Sequence, residues 1–232
     1  MTDRREELSA GLEAVENRIL AACAAAGRDR SEITLVVVTK HFPSADVELL
    51  RGLGVTDVGE NRDQEAAEKF AHLRDREDLT LHFVGQVQTN KAGHVASYAD
   101  VVHSVDRQRL VTALDRGAER AGRRVRCLVQ IALDDEVGRG GVPAGSARAV
   151  ADAVAEASHL DLGGVMAVAP LGADPAAAFT RLREVATGIR ADHPEASWVS
   201  AGMSGDLEAA IGAGATHLRV GTAILGTRLS LR

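Results

Sequence analysis

The sequence contains few aromatic residues: only 3% of its 232 residues are Phe, Tyr or Trp, with one Trp and one Tyr. A core therefore has to be built from Ala, Val, Leu and Ile, which dominate the 45% of residues that are hydrophobic. That content is sufficient for a sizeable core. Alanine-rich helices packed on a sheet of Val, Leu and Ile would satisfy this composition.

Cysteine is also scarce, and the two cysteines, Cys23 and Cys127, are far apart in the sequence. Cys23 lies in an alanine-rich stretch and Cys127 starts an apolar run, so both are predicted to be buried free thiols in a reducing cytoplasm. No set of His, Cys, Asp and Glu has the spacing of metal ligands, which predicts no metal site. The glycine-rich dinucleotide motif and the Gly-x-Ser-x-Gly motif of hydrolases are absent, so neither class is indicated.

An excess of positive charge is missing as well. The formal net charge is -6 and the arginines are interspersed with acidic residues, which argues against nucleic-acid binding. No apolar segment has the length needed to cross a bilayer, and the charged amino terminus has no apolar signal-peptide core. The sequence thus predicts a cytoplasmic protein that binds neither nucleic acid nor membrane.

What the sequence does contain is a regular alternation of apolar runs and helical stretches. Eight short runs predict strands near residues 35–39, 55–59, 81–85, 101–105, 128–133, 164–168, 198–201 and 218–221. Helices are predicted over 4–26, 64–76, 107–121, 146–157, 176–191 and 206–213. Such alternation implies parallel strands joined by right-handed crossovers. It favours an α/β fold with one domain over residues 1–232, a (β/α)8 TIM barrel with an extra N-terminal helix. An open doubly wound sheet is the alternative.

The first predicted strand ends directly before a lysine, Lys40. In a barrel of parallel strands, chemistry is located at the carboxyl ends of the strands, so Lys40 would lie at that face. A partly desolvated lysine amine loses its charge more easily than one in water and can then form a Schiff base with an aldehyde. A solvated lysine without a chemical role is the alternative interpretation.

Two turns rich in small residues follow the last two predicted strands. They are the segments 202–205, which contains Ser204, and Gly221-Thr222. A glycine lets a phosphate approach the backbone, and amides and hydroxyls at the start of a helix can donate to its oxygens. Because the last strands of such barrels often carry a phosphate site, these residues are predicted phosphate ligands. Simple strand-to-helix turns are the alternative.

Three other polar residues lie on predicted strands or at their ends. Arg219 can point into the barrel mouth beside Lys40, where its charge favours a neutral lysine and an unprotonated ring nitrogen nearby. A surface arginine paired with a helix carboxylate is the alternative. Asn61 can stack on or hydrogen-bond to a ring substituent, and His82 is predicted to be a hydrogen-bonded core residue.

Taken together, these segments resemble the pyridoxal phosphate homeostasis proteins, single-domain relatives of the barrel domain of alanine racemase. The resemblance extends through almost the whole chain. The residues that carry it are Val37-Val38-Thr39-Lys40, Gly59-Glu60-Asn61, the ten residues from His82 to Lys91, Gly164-Val165-Met166-Ala167, Gly202-Met203-Ser204 and Arg219-Val220-Gly221-Thr222.

The resemblance implies pyridoxal 5′-phosphate as the cofactor, held as a Schiff base on Lys40 with Arg219 facing the pyridine nitrogen. The residues implied to contact the cofactor are Lys40, Asn61, Met166, Ser204, Arg219, Gly221 and Thr222. An arginine at the ring nitrogen leaves that nitrogen largely unprotonated, so the ring is a poorer electron sink. Racemases of this type add a second base from a further β-domain. We expect that base to be missing, because the chain ends at Arg232 and its one tyrosine, Tyr98, lies in a helical region.

These implications favour a cytoplasmic, monomeric carrier that holds and supplies pyridoxal 5′-phosphate without a dedicated amino-acid reaction. Apoenzymes that depend on the same cofactor are the candidate recipients. Two alternatives stay open at this point. One is a cofactor-dependent racemase acting on small amino acids, and the other is a barrel that binds a sugar phosphate at the same turns.

Overall fold

The computed structural model describes residues 3–71, 73, 76–134 and 140–227. Within these residues, nine strands belong to one sheet system and are joined by parallel pairing. The strands are β1 (Thr34–Val38), β2 (Asp57–Glu60), β3 (Thr80–Phe83), β4 (Val101–Val105), β5 (Val125–Ala132), β6 (Val142–Pro143), β7 (Leu160–Met166), β8 (Trp198–Ser200) and β9 (His217–Val220).

The helices cover the outside of this sheet. They are α1 (Arg4–Ala26), α2 (Ser44–Arg51), α3 (Asp63–Ala71), α4 (Ala92–Tyr98), α5 (Gln108–Ala121), α6 (Ala147–Glu156), α7 (Pro175–Asp192), α8 (Leu207–Gly212) and α9 (Thr222–Leu225). Short 3-10 turns occupy Arg30–Glu32, Thr89–Lys91 and Ala144–Ser146.

The sheet closes on itself through its first and last strands. β1 pairs with β2 on one side and with β9 on the other, in a register that aligns Val36 with Arg219 and Val37 with Val220. A further pairing of β4 with β5 completes a ring of eight strands, with β6 as a two-residue extension beside β5. The structure confirms the predicted (β/α)8 barrel with an additional N-terminal helix. Because every strand is parallel to its neighbours, their carboxyl ends form one face of the barrel.

The first helix has the bounds that the sequence predicts. The Asp3 side chain accepts a hydrogen bond from the backbone amide of Arg5, and Gly27 ends the helix in the left-handed conformation with a φ of 64°. One helical face is buried, along Leu8, Val15, Ile19 and Cys23. That face packs against α8 and α9, next to the end of β9. The N-terminal helix therefore supports the same end of the barrel as the last strands do.

Some elements differ from the prediction. Helices α2 and α4 are short and begin without a side-chain cap, so no local signal marked them. The helix predicted over 64–76 ends at Ala71 in the described residues, while positions 72, 74 and 75 lie outside them. Both cysteines are buried and free, as predicted. No helix among the described segments combines the length and apolar character that a membrane span requires.

Candidate functional site

The carboxyl-terminal face of the barrel brings the predicted site residues to one end of the molecule. Lys40 and Asn61 lie just past the ends of β1 and β2, Met166 ends β7, Arg219 lies on β9, Ser204 lies between β8 and α8, and Gly221 and Thr222 begin α9. The aligned pair Val38 and Gly59 places Lys40 and Asn61 at the same level, each two residues farther along. Lys40 is exposed and Met166 is buried.

Two hydroxyl groups and one amide converge at the end of β9. The Thr222 hydroxyl donates a hydrogen bond of 3.2 Å to the hydroxyl oxygen of Ser204, and the Ala223 amide donates to the same oxygen at 3.4 Å. Gly221 adjoins β1 so closely that an added Cβ would lie 3.0 Å from the carbonyl oxygen of Val38. We call the group formed by Ser204, Gly221, Thr222 and Ala223 the hydroxyl cup. Its donors are of the kind that bind a phosphate.

The first helix holds the hydroxyl cup from outside the barrel. The Arg18 guanidinium donates a 2.9 Å hydrogen bond to the carbonyl oxygen of Ser204 and forms a two-pronged ion pair with Glu208, at 2.7 and 2.9 Å. Asp206 accepts a 2.6 Å hydrogen bond from the Met203 amide. Asp206 and Glu208 thus have structural roles. Sequence reasoning missed Arg18, because nothing local relates it to a loop near the other end of the chain.

Arg219 is buried inside the barrel with 5% of its surface exposed. Its guanidinium donates to the hydroxyl of Ser200 at 2.6 Å and to the carbonyl oxygen of Ala167 at 2.9 Å. Burial lowers the pKa of Arg219 to about 10, an effect that the charge of Asp206 opposes. This geometry is not that of a surface arginine paired with a helix carboxylate. It gives the barrel interior a cation whose partners are neutral.

A buried ion pair contacts the residue that precedes Lys40. The Lys69 ammonium is 2.5 Å from a carboxylate oxygen of Glu60 and donates a 2.8 Å hydrogen bond to the carbonyl oxygen of Thr39. The Thr39 hydroxyl donates to the same carboxylate oxygen at 2.7 Å. Burial raises the pKa of Glu60 even though the Lys69 charge opposes that shift. Sequence reasoning missed Lys69, although its spacing of four residues from Glu65 was a signal that the two share a helix face.

The backbone turns sharply after Lys40. His41 has a φ of 70°, which is unusual for a residue with a side chain, and its amide donates a hydrogen bond to the Glu65 carboxylate. The carboxylate compensates for the cost of this conformation, which is roughly 1–2 kcal/mol. The turn ends β1 at the position where Lys40 leaves the sheet.

Two buried acceptors at the end of β2 have no hydrogen-bond partner among the described residues, namely Oε2 of Glu60 and Oδ1 of Asn61. Buried polar atoms are nearly always paired, so unpaired acceptors at a strand end are the type of group that a ligand satisfies. Together with the amine of Lys40, the cation of Arg219 and the hydroxyl cup, they make a donor and acceptor set suited to a phosphorylated aromatic aldehyde. The residues present therefore fit pyridoxal 5′-phosphate.

The sequence of this chain is similar to those of known proteins. Residues 11–229 match the family model for the alanine racemase N-terminal domain. A protein of Mycobacterium tuberculosis named pyridoxal phosphate homeostasis protein is 44% identical over 97% of this chain and 95% of its own length. The protein of the same name from Escherichia coli is 36% identical over 96% of this chain and 97% of its own.

Solved structures agree with these sequence relatives. PipY of Synechococcus elongatus with pyridoxal phosphate bound has a TM-score of 0.83 at 31% identity, covering 94% of this chain and all of PipY (100%). Alanine racemase of Clostridium difficile has a TM-score of 0.70 at 13% identity over 93% of this chain and 57% of its own, which shows a shared fold. The chain belongs to the alanine racemase N-terminal domain family, together with the proteins named pyridoxal phosphate homeostasis protein.

Proposed function

We propose that the protein binds pyridoxal 5′-phosphate at the carboxyl-terminal face of the barrel and serves its homeostasis. The observation that carries this proposal is the convergence, on one face, of an exposed strand-end lysine, a buried arginine and the hydroxyl cup. The printed names of the relatives in Mycobacterium tuberculosis and Escherichia coli, and the ligand of PipY, support it. Residues 1–232 would act as a single cofactor-binding domain.

Each part of the face has a separate task in this proposal. Ser204, Thr222 and the amide after Thr222 donate to the phosphate, and Gly221 leaves room for that phosphate beside β1. When bound, the cofactor supplies an aldehyde that condenses reversibly with a primary amine and releases water. Lys40 provides that amine. Reversibility is what a protein needs if it holds and later supplies the cofactor.

Around the ring, the other residues orient the cofactor and exclude water. Arg219 donates to the ring nitrogen and, as a cation, keeps that nitrogen unprotonated. Asn61 pairs with a polar ring substituent through its unpaired oxygen, and the buried Met166 forms an apolar wall. An unprotonated ring stabilises carbanions poorly, so this arrangement favours holding the cofactor over reacting with amino acids.

In our proposal the protein is therefore a carrier or regulator and not a dedicated enzyme. It works as a cytoplasmic monomer, exchanging pyridoxal 5′-phosphate with apoenzymes that need it. A racemase role would require a second base at the face. Tyr98, the one tyrosine of the sequence, donates hydrogen bonds to Asp63 instead. Incubation of the loaded protein with alanine or serine should leave their optical activity unchanged; sustained racemisation would overturn the carrier role.

The chain offers a direct test of attachment because it contains only three lysines, Lys40, Lys69 and Lys91. The protein loaded with pyridoxal 5′-phosphate should show an absorbance band in the visible or near-ultraviolet range, and borohydride reduction should fix the label on the tryptic site at Lys40. Lys40→Ala should lose both the band and the label. Lys91→Ala is the matched control because Lys91 is also exposed, and it should behave as the unmodified protein does. Equal labelling of Lys40→Ala and the unmodified protein would refute attachment at Lys40.

A further inference from the structure

A continuous chain of polar side chains crosses the inside of the barrel. From Arg219, it passes to the Ser200 hydroxyl at 2.6 Å and from there to Nδ1 of His103 at 2.9 Å. Nε2 of His103 is 2.8 Å from Nδ1 of His82, and Nε2 of His82 is 2.9 Å from a carboxylate oxygen of Asp57. These five side chains come from five different strands, and four of them are buried.

The two ends of this chain lie at opposite openings of the barrel. Asp57 is the first residue of β2, at the amino-terminal opening, and its side chain is 20% exposed. Arg219 lies toward the opposite opening, where the candidate cofactor site is. Asp57 lines a cleft of about 440 Å³ together with Arg126, Asp161 and His217. The chain thus joins solvent at one opening to the cation that faces the cofactor at the other.

Only one donor-to-acceptor direction satisfies the hydrogen-bonding groups of all five side chains. The Asp57 carboxylate accepts, so Nε2 of His82 carries a proton and its Nδ1 accepts from Nε2 of His103. Nδ1 of His103 then accepts from the Ser200 hydroxyl, whose oxygen accepts from Arg219. In the reverse direction, Ser200 would receive two hydrogen bonds and its own proton would have no acceptor among the described residues.

The charge states of Asp57 and His103 agree with this direction of hydrogen bonding. Burial acts to raise the pKa of Asp57, but the hydrogen bonds from His82 and Thr56 lower it overall, which favours the carboxylate. Burial lowers the pKa of His103 well below its usual range, so this ring is neutral. With Asp57 ionised and His103 neutral, each hydrogen bond is donated from the Arg219 side, so the acceptor lone pair of every bond points toward Arg219. The hydrogen bonds thereby extend the influence of the Asp57 charge to the guanidinium of Arg219, whose hydrogen-bond partners in the described part of the chain, Ser200 and Ala167, are neutral.

We propose that Asp57, His82, His103 and Ser200 form a positioning relay, which fixes Arg219 toward the cofactor ring and is loosened by protonation at the amino-terminal opening. A proton added to the Asp57–His82 pair makes Nδ1 of His82 a donor to His103, and the bonds from His82 to Ser200 then reverse. In that state Ser200 accepts hydrogen bonds from both His103 and Arg219, so Arg219 shares its acceptor and is held less firmly. The proposal rests on the proposed function for the identity of the ring.

Other charged groups surround the relay and act on the same protonation. His217 on β9 lies with its ring centre 6.3 Å from that of His82. Arg126 on β5 lies 4.6 Å from the ring centre of Trp198, which is 3.9 Å from the ring centre of His217. The ionisable groups that act on the relay are Arg126, Asp206, His217 and Arg219, and the cleft at the Asp57 end is also lined by Asp100, Arg124 and Asp161. Both arginines disfavour a proton on His217, and Arg219 disfavours one on His103, so an added proton is taken up at the Asp57–His82 end of the relay.

The first test needs neither a variant nor the cofactor. Nitrogen-15 spectra of histidine side chains in the full chain at about pH 8 report which ring nitrogen carries the proton. We expect His82 and His103 both to carry it on Nε2. A proton on Nδ1 of either ring at that pH would overturn the relay.

The second test compares Asp57→Asn, Asp57→Leu and the matched control Asp161→Asn. Asp161 lines the same cleft and pairs with Arg124 instead of the relay. Asparagine still accepts from His82, whereas leucine cannot. In Asp57→Leu, we expect exchange of the Arg219 Nη1 protons, which hydrogen-bond to Ser200, to accelerate about tenfold, the effect of losing one ordinary hydrogen bond. The exchange rate in Asp57→Asn should lie between those of Asp57→Leu and the unmodified protein. The rate in Asp161→Asn should match that of the unmodified protein. Unchanged exchange in Asp57→Leu would refute the relay.

The same variants give a separate result with pyridoxal 5′-phosphate. Asp57→Leu should bind it about tenfold more weakly while borohydride still labels Lys40, because the relay positions Arg219 and does not touch the lysine. Asp57→Leu binding as tightly as Asp161→Asn would count against the relay. Failure of the unmodified protein to bind the cofactor would refute the proposed function instead, and the tautomer and exchange results would still decide the relay.

Discussion

The ammonium of Lys69 donates a 2.8 Å hydrogen bond to the carbonyl oxygen of Thr39, the residue that precedes Lys40. The same ammonium is paired with Glu60, and the side chains of the pair are 5% and 0% exposed. A lysine of α3 therefore holds the end of β1 from inside the fold. The position of Lys40 therefore depends on a buried ion pair.

Replacing Lys69 by methionine should destabilise the protein strongly. Methionine keeps the apolar stem but leaves the Glu60 carboxylate buried without its cation, and breaking a buried pair in this way costs about 3–5 kcal/mol. The free energy of unfolding from urea titration at neutral pH measures the loss. A loss below about 1 kcal/mol would contradict the central role of this pair.

The double variant Lys69→Met with Glu60→Gln is the control for that experiment. It removes both charges, so it should recover part of the stability that the single variant loses. Equal losses in the single and the double variant would show that packing, and not the unpaired charge, sets the effect.

The sequence contained enough to predict the barrel and the main parts of its face. Apolar runs separated by helical stretches indicated parallel strands, and parallel strands place Lys40, Arg219 and Thr222 on one face whatever their separation in the chain. Boundaries shifted by a few residues; β5, for instance, begins at Val125 and not at 128. Local patterns specify which elements form, and closure of the barrel brings their ends together.

The interior network was not predictable in the same way. His103 and Ser200 read as ordinary positions within short strands, and only the closed barrel shows that they meet across its interior. The structure confirms the prediction that His82 is a hydrogen-bonded core residue. Its partners, however, come from β2 and β4, which the sequence does not indicate. Lys69 and Arg18 act on loops distant in sequence, and periodicity carries no information about such contacts.

Gly221→Ala should weaken cofactor binding without unfolding the protein. The added methyl group would lie 3.0 Å from the carbonyl oxygen of Val38, closer than ordinary contact, so the end of β9 must move away from β1 by a few tenths of an ångström. That movement displaces Thr222 from Ser204. We expect about a tenfold rise in the Kd for pyridoxal 5′-phosphate, measured by absorbance titration, which corresponds to one weakened hydrogen bond.

Gly205→Ala is the matched control, because Gly205 lies in the neighbouring turn and an added Cβ would have no atom within 4 Å. It should bind the cofactor as tightly as the unmodified protein. Equal affinity of the two alanine variants would mean that close packing at Gly221 is unimportant for the hydroxyl cup.

Arg18→Met should loosen the hydroxyl cup from outside the barrel. The variant removes the hydrogen bond to the Ser204 carbonyl and the ion pair with Glu208, while the apolar stem on α1 is retained. Because the ion pair is partly exposed, the loss of stability should stay below about 1 kcal/mol. Affinity for the cofactor should nevertheless fall several-fold, about the effect of one weakened hydrogen bond, as measured by calorimetry.

Arg5→Met on the same helix provides the comparison. Arg5 is exposed and donates to the carbonyl oxygen of Gly52, away from the hydroxyl cup. The cofactor affinity of Arg5→Met should match that of the unmodified protein. If both methionine variants lose affinity to the same extent, the effect belongs to the first helix as a whole and not to the contact of Arg18 with Ser204.

Acid should destabilise the fold through His217. Burial lowers the pKa of this histidine to about 3, helped by its neighbours His82, Arg126 and Arg219, whereas an unfolded histidine titrates near 6.5. Between these two values the unfolded chain binds more protons, so the stabilisation is complete above about pH 6.5 and is lost as the pH falls. Below about pH 5.5 the free energy of unfolding should fall by about 1.4 kcal/mol per pH unit for this one group.

His217→Gln isolates that contribution, because glutamine does not titrate and can still pair with the Thr216 hydroxyl that His217 contacts at 2.8 Å. Urea titrations between about pH 5.5 and pH 4 should give a slope of stability against pH that is smaller than that of the unmodified protein by about 1.4 kcal/mol per unit. The remaining slope includes His103, whose pKa burial also lowers. Identical slopes would mean that His217 gains its proton without unfolding, and that the barrel interior admits charge at the position beside the relay.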